Sequence, residues 1–172
     1  MNRAGLTARK LALAGFLICA GLIAFALYLQ YFENLEPCPL CMLQRICFSA
    51  LGVIFLVAFL HGPGRTGARI YAFLGFLVAL TGVGLATRHV WLQWFPPDVS
   101  ACTADLFFQL ERFPVLSVLA KALRATGDCA KVDWRFLALS IAEWSLIWFI
   151  LLAGYTLYMA RRAGERRLSM WH

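Results

Sequence analysis

Four cysteines carry the chemistry this chain could do. Cys38-Pro39-Leu40-Cys41 is a Cys-x-x-Cys, and Cys102 and Cys129 stand apart further along. A bond across a two-residue gap closes a tiny loop and removes little chain entropy, so it is a poor staple. Such pairs serve redox chemistry more often than stability, with a thiolate as the attacking group. Pro37 and Pro39 disfavour helix upstream, so a helix begins near Cys41. Its unpaired N–H groups and positive dipole end favour a thiolate there. Arg45 follows four residues later, on the same helix face one turn deeper. A cation in that position stabilises the thiolate and can hold a ligand oxygen. His89 is the other candidate near such a site.

These residues are positioned by membrane helices. The chain has 172 residues, 62% of them hydrophobic and 15% charged, with a net charge of +7. Soluble domains are about 45–50% apolar and about 25% charged, so a disordered chain is excluded and a water-soluble one is disfavoured. Four apolar stretches reach the roughly 18 residues that cross a bilayer: 11–32, 42–60, 70–90 and 136–159. Together they cover half of a single membrane domain spanning 1–172. The first has a basic start and an Ala24-Phe25-Ala26 triplet that imitates a signal-peptide cleavage site. Its apolar run continues through Leu27, Tyr28, Leu29 and Tyr31, so it reads as a span.

Charge orients the bundle. With four spans, the N-terminus, the 61–69 turn and the C-terminus share a side that carries nine basic residues against Glu165 alone, a balance of +8. Segments 33–41 and 91–135 share the other side, at −2, and the spans themselves add +1. The positive-inside rule puts the first side, with both termini, in the cytoplasm. The +7 therefore records orientation and does not describe a nucleic-acid surface. Tyr28, Tyr31, Trp91, Trp94 and Trp134 fall at outer ends and Tyr155 and Tyr158 at an inner end, as interfacial belts do. Within the long outer loop, Val115, Val118, Leu119 and Ala122 recur at helical spacing after Pro114. They predict a short amphipathic helix, lying on the outer leaflet or packed on the rest of the loop.

The topology sorts the cysteines. Cys19 and Cys47 lie in hydrocarbon, where a thiol is a small hydrophobe. Cys38, Cys41, Cys102 and Cys129 lie outside, in an oxidising compartment. Of three possible pairings the Cys-x-x-Cys suggests Cys38 with Cys41, leaving Cys102 with Cys129. A charge inside a span is expensive and points to function, which favours Arg45 as a site residue. Arg88 sits about 100° around the helix from His89 and reads as snorkelling. Glu143 lies seven residues into the fourth span, where it is expected to be protonated and bonded to Ser140 or a neighbouring helix. The cysteines and three histidines lack the usual zinc spacings, so no metal site is expected.

These residues also carry a resemblance. Pro37-Cys38-Pro39-Leu40-Cys41 followed by Arg45 is one part. Arg88-His89-Val90-Trp91-Leu92-Gln93 is another. Cys102, and Gly127-Asp128-Cys129-Ala130 with Trp134 and Phe136-Leu137, complete it. Over nearly its whole length the chain resembles the bacterial disulfide bond formation protein B family. The resemblance implies an enzyme of the inner membrane that reoxidises DsbA, a periplasmic thioredoxin-fold dithiol oxidase, and passes the electrons to ubiquinone or menaquinone. Cys102 would form the mixed disulfide with the partner. Cys129 would resolve it and exchange with Cys38, and Cys41 would sit beside the quinone. Arg45 matches the family's quinone-site arginine and His89 its histidine near the ring. Gln44 departs from members that carry an acid before the arginine, which puts any role of that acid in doubt here.

Other readings make different demands. A relative of vitamin K epoxide reductase would carry its Cys-x-x-Cys late in the chain, whereas here it opens the second span. A paralogue dedicated to one specialised oxidase would share every feature above. A non-enzymatic four-span protein with two loop disulfides would need no quinone and would tolerate Arg45→Ala.

Overall fold

The computed structural model describes residues 3–33, 37–95, 135–136 and 139–165. Four long helices dominate: α1 (Arg3–Phe32), α2 (Pro39–His61), α3 (Arg65–Trp94) and α4 (Ile141–Glu165). A two-residue antiparallel pair, β1 (Arg135–Phe136) and β2 (Leu139–Ser140), precedes α4, with Arg135 opposite Ser140 and Phe136 opposite Leu139. All four helices are long and apolar enough to cross a membrane. The shortest spanning stretch has 22 residues, about 33 Å at 1.5 Å per residue, against a hydrocarbon core of about 30 Å. The chain is an all-α, multi-pass membrane protein with four spans. The helix expected over 114–124 and most of loop 91–135, with Cys102 and Cys129, lie outside the described residues.

Helix ends are set by caps more than by the edges of the apolar stretches. α3 runs past 70–90 at both ends. At its start, Gly62 closes α2 in the left-handed region (φ 56°, ψ 47°) with its N–H on the Ala58 carbonyl, a conformation glycine adopts without a Cβ penalty. Pro63 cannot continue a helix, and α3 begins at Arg65. Arg9 of α1 donates from Nε to the Phe59 carbonyl at 3.1 Å and lies over the Phe59 ring. A cation thus meets the negative end of α2.

The fourth helix starts at Ile141, later than the 136 expected, because the strand pair occupies residues up to Ser140. The expected bonding of Glu143 to Ser140 and a neighbouring helix is present, while its place in the helix is corrected. It sits in the first turn and forms a capping box with Ser140. The Ser140 N–H donates to Glu143 Oε2 at 2.7 Å, and the Glu143 N–H donates to Ser140 Oγ at 3.3 Å. Trp94 Nε1–H donates to Glu143 Oε1 at 3.3 Å, and the Ser140 hydroxyl donates to Gln93 Oε1 at 2.7 Å. Both carboxyl oxygens of Glu143 therefore act as acceptors of N–H groups.

Helices adjacent in sequence are adjacent in space, and α3 packs most extensively on α4. The ring closes where the Tyr155 hydroxyl donates to the Leu11 carbonyl at 2.7 Å. Lipid is as apolar as a helix surface, so association depends on close van der Waals packing through small residues. The inner face of α3 supplies them: Ala72, Gly75, Ala79, Gly82 and Ala86 are all buried. Phe149 of α4 fills the space opposite and stacks on Phe48 of α2, with ring centroids 4.0 Å apart. Larger side chains of α3, such as Phe73, Leu77 and Leu80, face outward.

A Cβ at Gly82 would lie 2.3 Å from the Phe149 ring, whereas one at Gly84 would meet nothing within 4 Å. Gly82→Ala should lower stability by about 1–3 kcal/mol, the usual cost of overpacking. Gly84→Ala should leave it unchanged within about 0.5 kcal/mol. Thermal unfolding midpoints in detergent check both, and equal midpoints for the two variants would contradict the packing described.

Candidate functional site

The site forms where α2 begins and α3 ends. Cys38 is the N-cap of α2 and Pro39 its first residue, a position where the missing N–H costs nothing. Cys41 is therefore the third helical residue, and its N–H donates to Cys38 Sγ at 3.3 Å. Sequence reasoning put the thiolate-favouring helix end at Cys41. The cap begins earlier, so this terminal N–H is directed at the sulfur of Cys38. Both cysteines are half-buried. Leu40 and Leu92, each nearly fully buried, back the pair as a small apolar cluster with Cys38, Leu43 and Leu85.

His89 comes to the dithiol from α3. It lies three residues beyond Ala86, on the same inner seam, and only 2% of its surface is exposed. Its Nε2 stands 3.7 Å from Cys38 Sγ, and its Nδ1 is 3.3 Å from Gln44 Nε2. An amide nitrogen can only donate, so Nδ1 is the acceptor and the neutral ring carries its proton on Nε2, aimed at Cys38. Both sulfurs and a ring nitrogen of His89 lie within 4.8 Å of one another. Cys38 Sγ thus faces two N–H donors, one from the helix end and one from His89.

Arg45 is half-buried one turn below Cys41, and its guanidinium is taken up by α1. One nitrogen donates to Gln30 Oε1, and Nη2 donates to the Ala26 carbonyl at 3.0 Å. Both acceptors are uncharged, so these contacts orient the cation without neutralising it. Arg88, next to His89, is half-buried on α3. Cys19 and Cys47 are buried in the apolar core, away from the dithiol cluster. Cys102 and Cys129 fall outside the described residues, so their approach to this pair belongs to the functional proposal below.

Two residues of the site escaped sequence reasoning. Gln30 orients Arg45, and Gln44, buried at 2% exposure, orients His89. The available signal was their polarity: an amide inside a membrane span is costly unless it finds a hydrogen-bond partner.

Together these features define a class: a four-helix membrane protein that holds a reactive dithiol at one end of its bundle. Comparison with known sequences is specific. The profile of the family described as disulfide bond formation protein DsbB matches residues 8–159. A disulfide bond formation protein B of Aromatoleum aromaticum is 47% identical over 165 residues, covering 95% of this chain and 99% of the relative. The protein of that name from Hahella chejuensis is 52% identical over 154 residues, covering 89% and 92%. The chain belongs to the DsbB family. It is a membrane oxidoreductase of disulfide bond formation.

The donors around Cys38 predict its reactivity. In reduced protein carrying Cys102→Ser and Cys129→Ser, iodoacetamide should alkylate Cys38 roughly tenfold faster than Cys41, the worth of one hydrogen bond to a charged group. His89→Ala should narrow the difference. Peptide mass spectrometry over a time course reads both rates, and faster modification at Cys41 would contradict the assignment.

Proposed function

We propose that this protein is a quinone-dependent thiol oxidase that reoxidises a DsbA-like thioredoxin-fold oxidase outside the bacterial inner membrane. The observation that carries the reading is the Cys38–Cys41 dithiol, capping a spanning helix at the end of the bundle opposite the described basic residues Arg9, Lys10, Arg65, Arg69, Arg161 and Arg162. That distribution supports cytoplasmic termini and an outward-facing dithiol.

The residues present fit a quinone. The guanidinium of Arg45 has two neutral acceptors on α1, so its charge remains available to a carbonyl oxygen that gains electron density. Cys41 lies on the same helix face one turn above it. These two residues would hold the headgroup, ubiquinone or menaquinone. In this structure His89 is engaged by Cys38 and Gln44, so it serves the headgroup through the dithiol. A bound quinone supplies the acceptor for two electrons and two protons as the inner dithiol becomes a disulfide.

The chain's own residues perform the exchanges. A thiolate of the reduced partner attacks Cys102 of the Cys102–Cys129 disulfide, forming the mixed disulfide and expelling Cys129 as a thiolate; the partner's second cysteine then attacks its own bonded sulfur and expels Cys102, which releases the partner oxidised. The reduced outer pair then attacks the Cys38–Cys41 disulfide, with Cys38 as the sulfur joined to Cys129. Each attack by a thiolate expels another thiolate, so electrons and sulfur bonds balance at every hop. The N–H of Cys41 and His89 Nε2–H hold charge on Cys38 as it leaves or attacks.

With added quinone and reduced partner, the wild-type protein should show a fall in quinone absorbance. Cys41→Ser should abolish it, and Cys102→Ser should block transfer from the partner. Full activity in variants lacking each of the four outer cysteines would refute the proposal. Loss of Arg45 removes a charge-assisted contact of about 1.5–3 kcal/mol. Arg45→Ala should therefore raise the KM for quinone by about 10- to 100-fold, with a smaller effect on the KM for the partner, as steady-state titrations of each would show.

A further inference from the structure

The cluster that serves exchange also has the composition of a metal site. Two thiols and an imidazole are the donor set of three-ligand zinc centres that keep a fourth position open. Soft sulfur ligands of this kind select thiophilic d10 ions. Cys38 Sγ and His89 Nε2 are 3.7 Å apart, and all three donor atoms fall within 4.8 Å. A tetrahedral zinc ion with Zn–S near 2.3 Å places its ligand atoms roughly 3.5–3.8 Å apart. The largest of the three separations exceeds that range by at most about 1 Å.

Gln44 makes the histidine ready for either task. In the arrangement observed, the amide nitrogen faces Nδ1 and the ring proton points at Cys38. Half a turn of the amide would place Oε1 against a protonated Nδ1 and leave the Nε2 lone pair facing the sulfurs. A metal-bound histidine commonly has its second nitrogen held in this way. The cluster escapes sequence motifs because His89 is 51 residues from Cys38 and reaches it only through the seam of α3.

We infer that the reduced protein binds one Zn²⁺ through Cys38, Cys41 and His89, and that this binding and formation of the Cys38–Cys41 disulfide exclude each other. The ion replaces one proton on each thiol, so two protons leave and no electron changes hands. The disulfide has no thiolate to offer, so oxidation expels the ion. Zinc on the outer face therefore arrests the protein in its reduced form. The inference rests on the geometry of the cluster and is independent of the quinone reading.

The test uses Zn²⁺ alone, titrated against a chromophoric chelator into full-length detergent-solubilised protein carrying Cys102→Ser and Cys129→Ser. One ion per chain is expected for the reduced protein and none for the oxidised protein, with at least tenfold weaker binding in His89→Ala. X-ray absorption on the reduced protein without the His89 substitution supplies a second reading that no folding defect can confuse. It should show two sulfurs at about 2.3 Å and nitrogen at about 2.0–2.1 Å. The inference is overturned if the reduced protein binds no zinc, or if His89→Ala binds it equally well. A shell of four sulfurs, or of oxygen and nitrogen alone, overturns it too. None of these readouts involves turnover, so the zinc site and the oxidase activity stand or fall separately.

Discussion

Close approach at the inner face of α3 is the constraint on which the rest of the molecule depends. In a bilayer there is no hydrophobic gain in bringing two helices together, so contact must come from surfaces that fit. Ala72, Gly75, Ala79, Gly82 and Ala86 provide a nearly flat seam, and Phe149 lies directly against it. The spacing alternates between three and four residues, and the next position in the series is His89. One register therefore does two jobs. It lets α3 lie close to its neighbours, and it carries an imidazole inward at the level where α2 begins.

Polar groups along this route are satisfied. Among the described residues, no buried side-chain nitrogen or oxygen lacks a hydrogen-bond partner. In hydrocarbon an unpaired group costs several kcal/mol, so each pairing fixes a rotamer. Gln44 holds the His89 ring, and Gln30 with the Ala26 carbonyl holds Arg45. The dithiol is thus surrounded by side chains whose orientations are already set, which is the state an exchange site needs.

Much of this is legible in the sequence. Four spans follow from apolar length, because the bilayer imposes one dimension on every helix. The family follows from the cysteines, Arg45 and the Arg88–Gln93 segment. The boundaries are less legible, since hydropathy marks where lipid begins and capping marks where a helix begins. Ser140 with Glu143 is an S-x-x-E pattern that could have placed the start of α4 and explained the acid. Taken as a residue inside the span, Glu143 has the look of a buried carboxyl group. The seam of α3 is written in the spacing of its small residues, and that spacing alone turns His89 inward. Which sulfur faces the donors is not legible in this way. That depends on Pro39 starting the helix and on Gln44 and His89 meeting across two helices.

The junction between α3 and α4 has a mechanical meaning. Ser140 and Glu143 share four hydrogen bonds with each other and with Gln93 and Trp94. A pull on the chain ahead of Ser140 is therefore delivered to two helices at once, across a knot of bonds loaded in parallel. Such a joint acts as a strain relief, like the collar where a cable enters a housing. A load on the segment that carries Cys102 and Cys129 would work against the collar before it could shift the register of α4 or the seam behind His89. Load on the incoming chain and the spacing of two sulfurs at the end of the bundle are thereby kept mechanically separate.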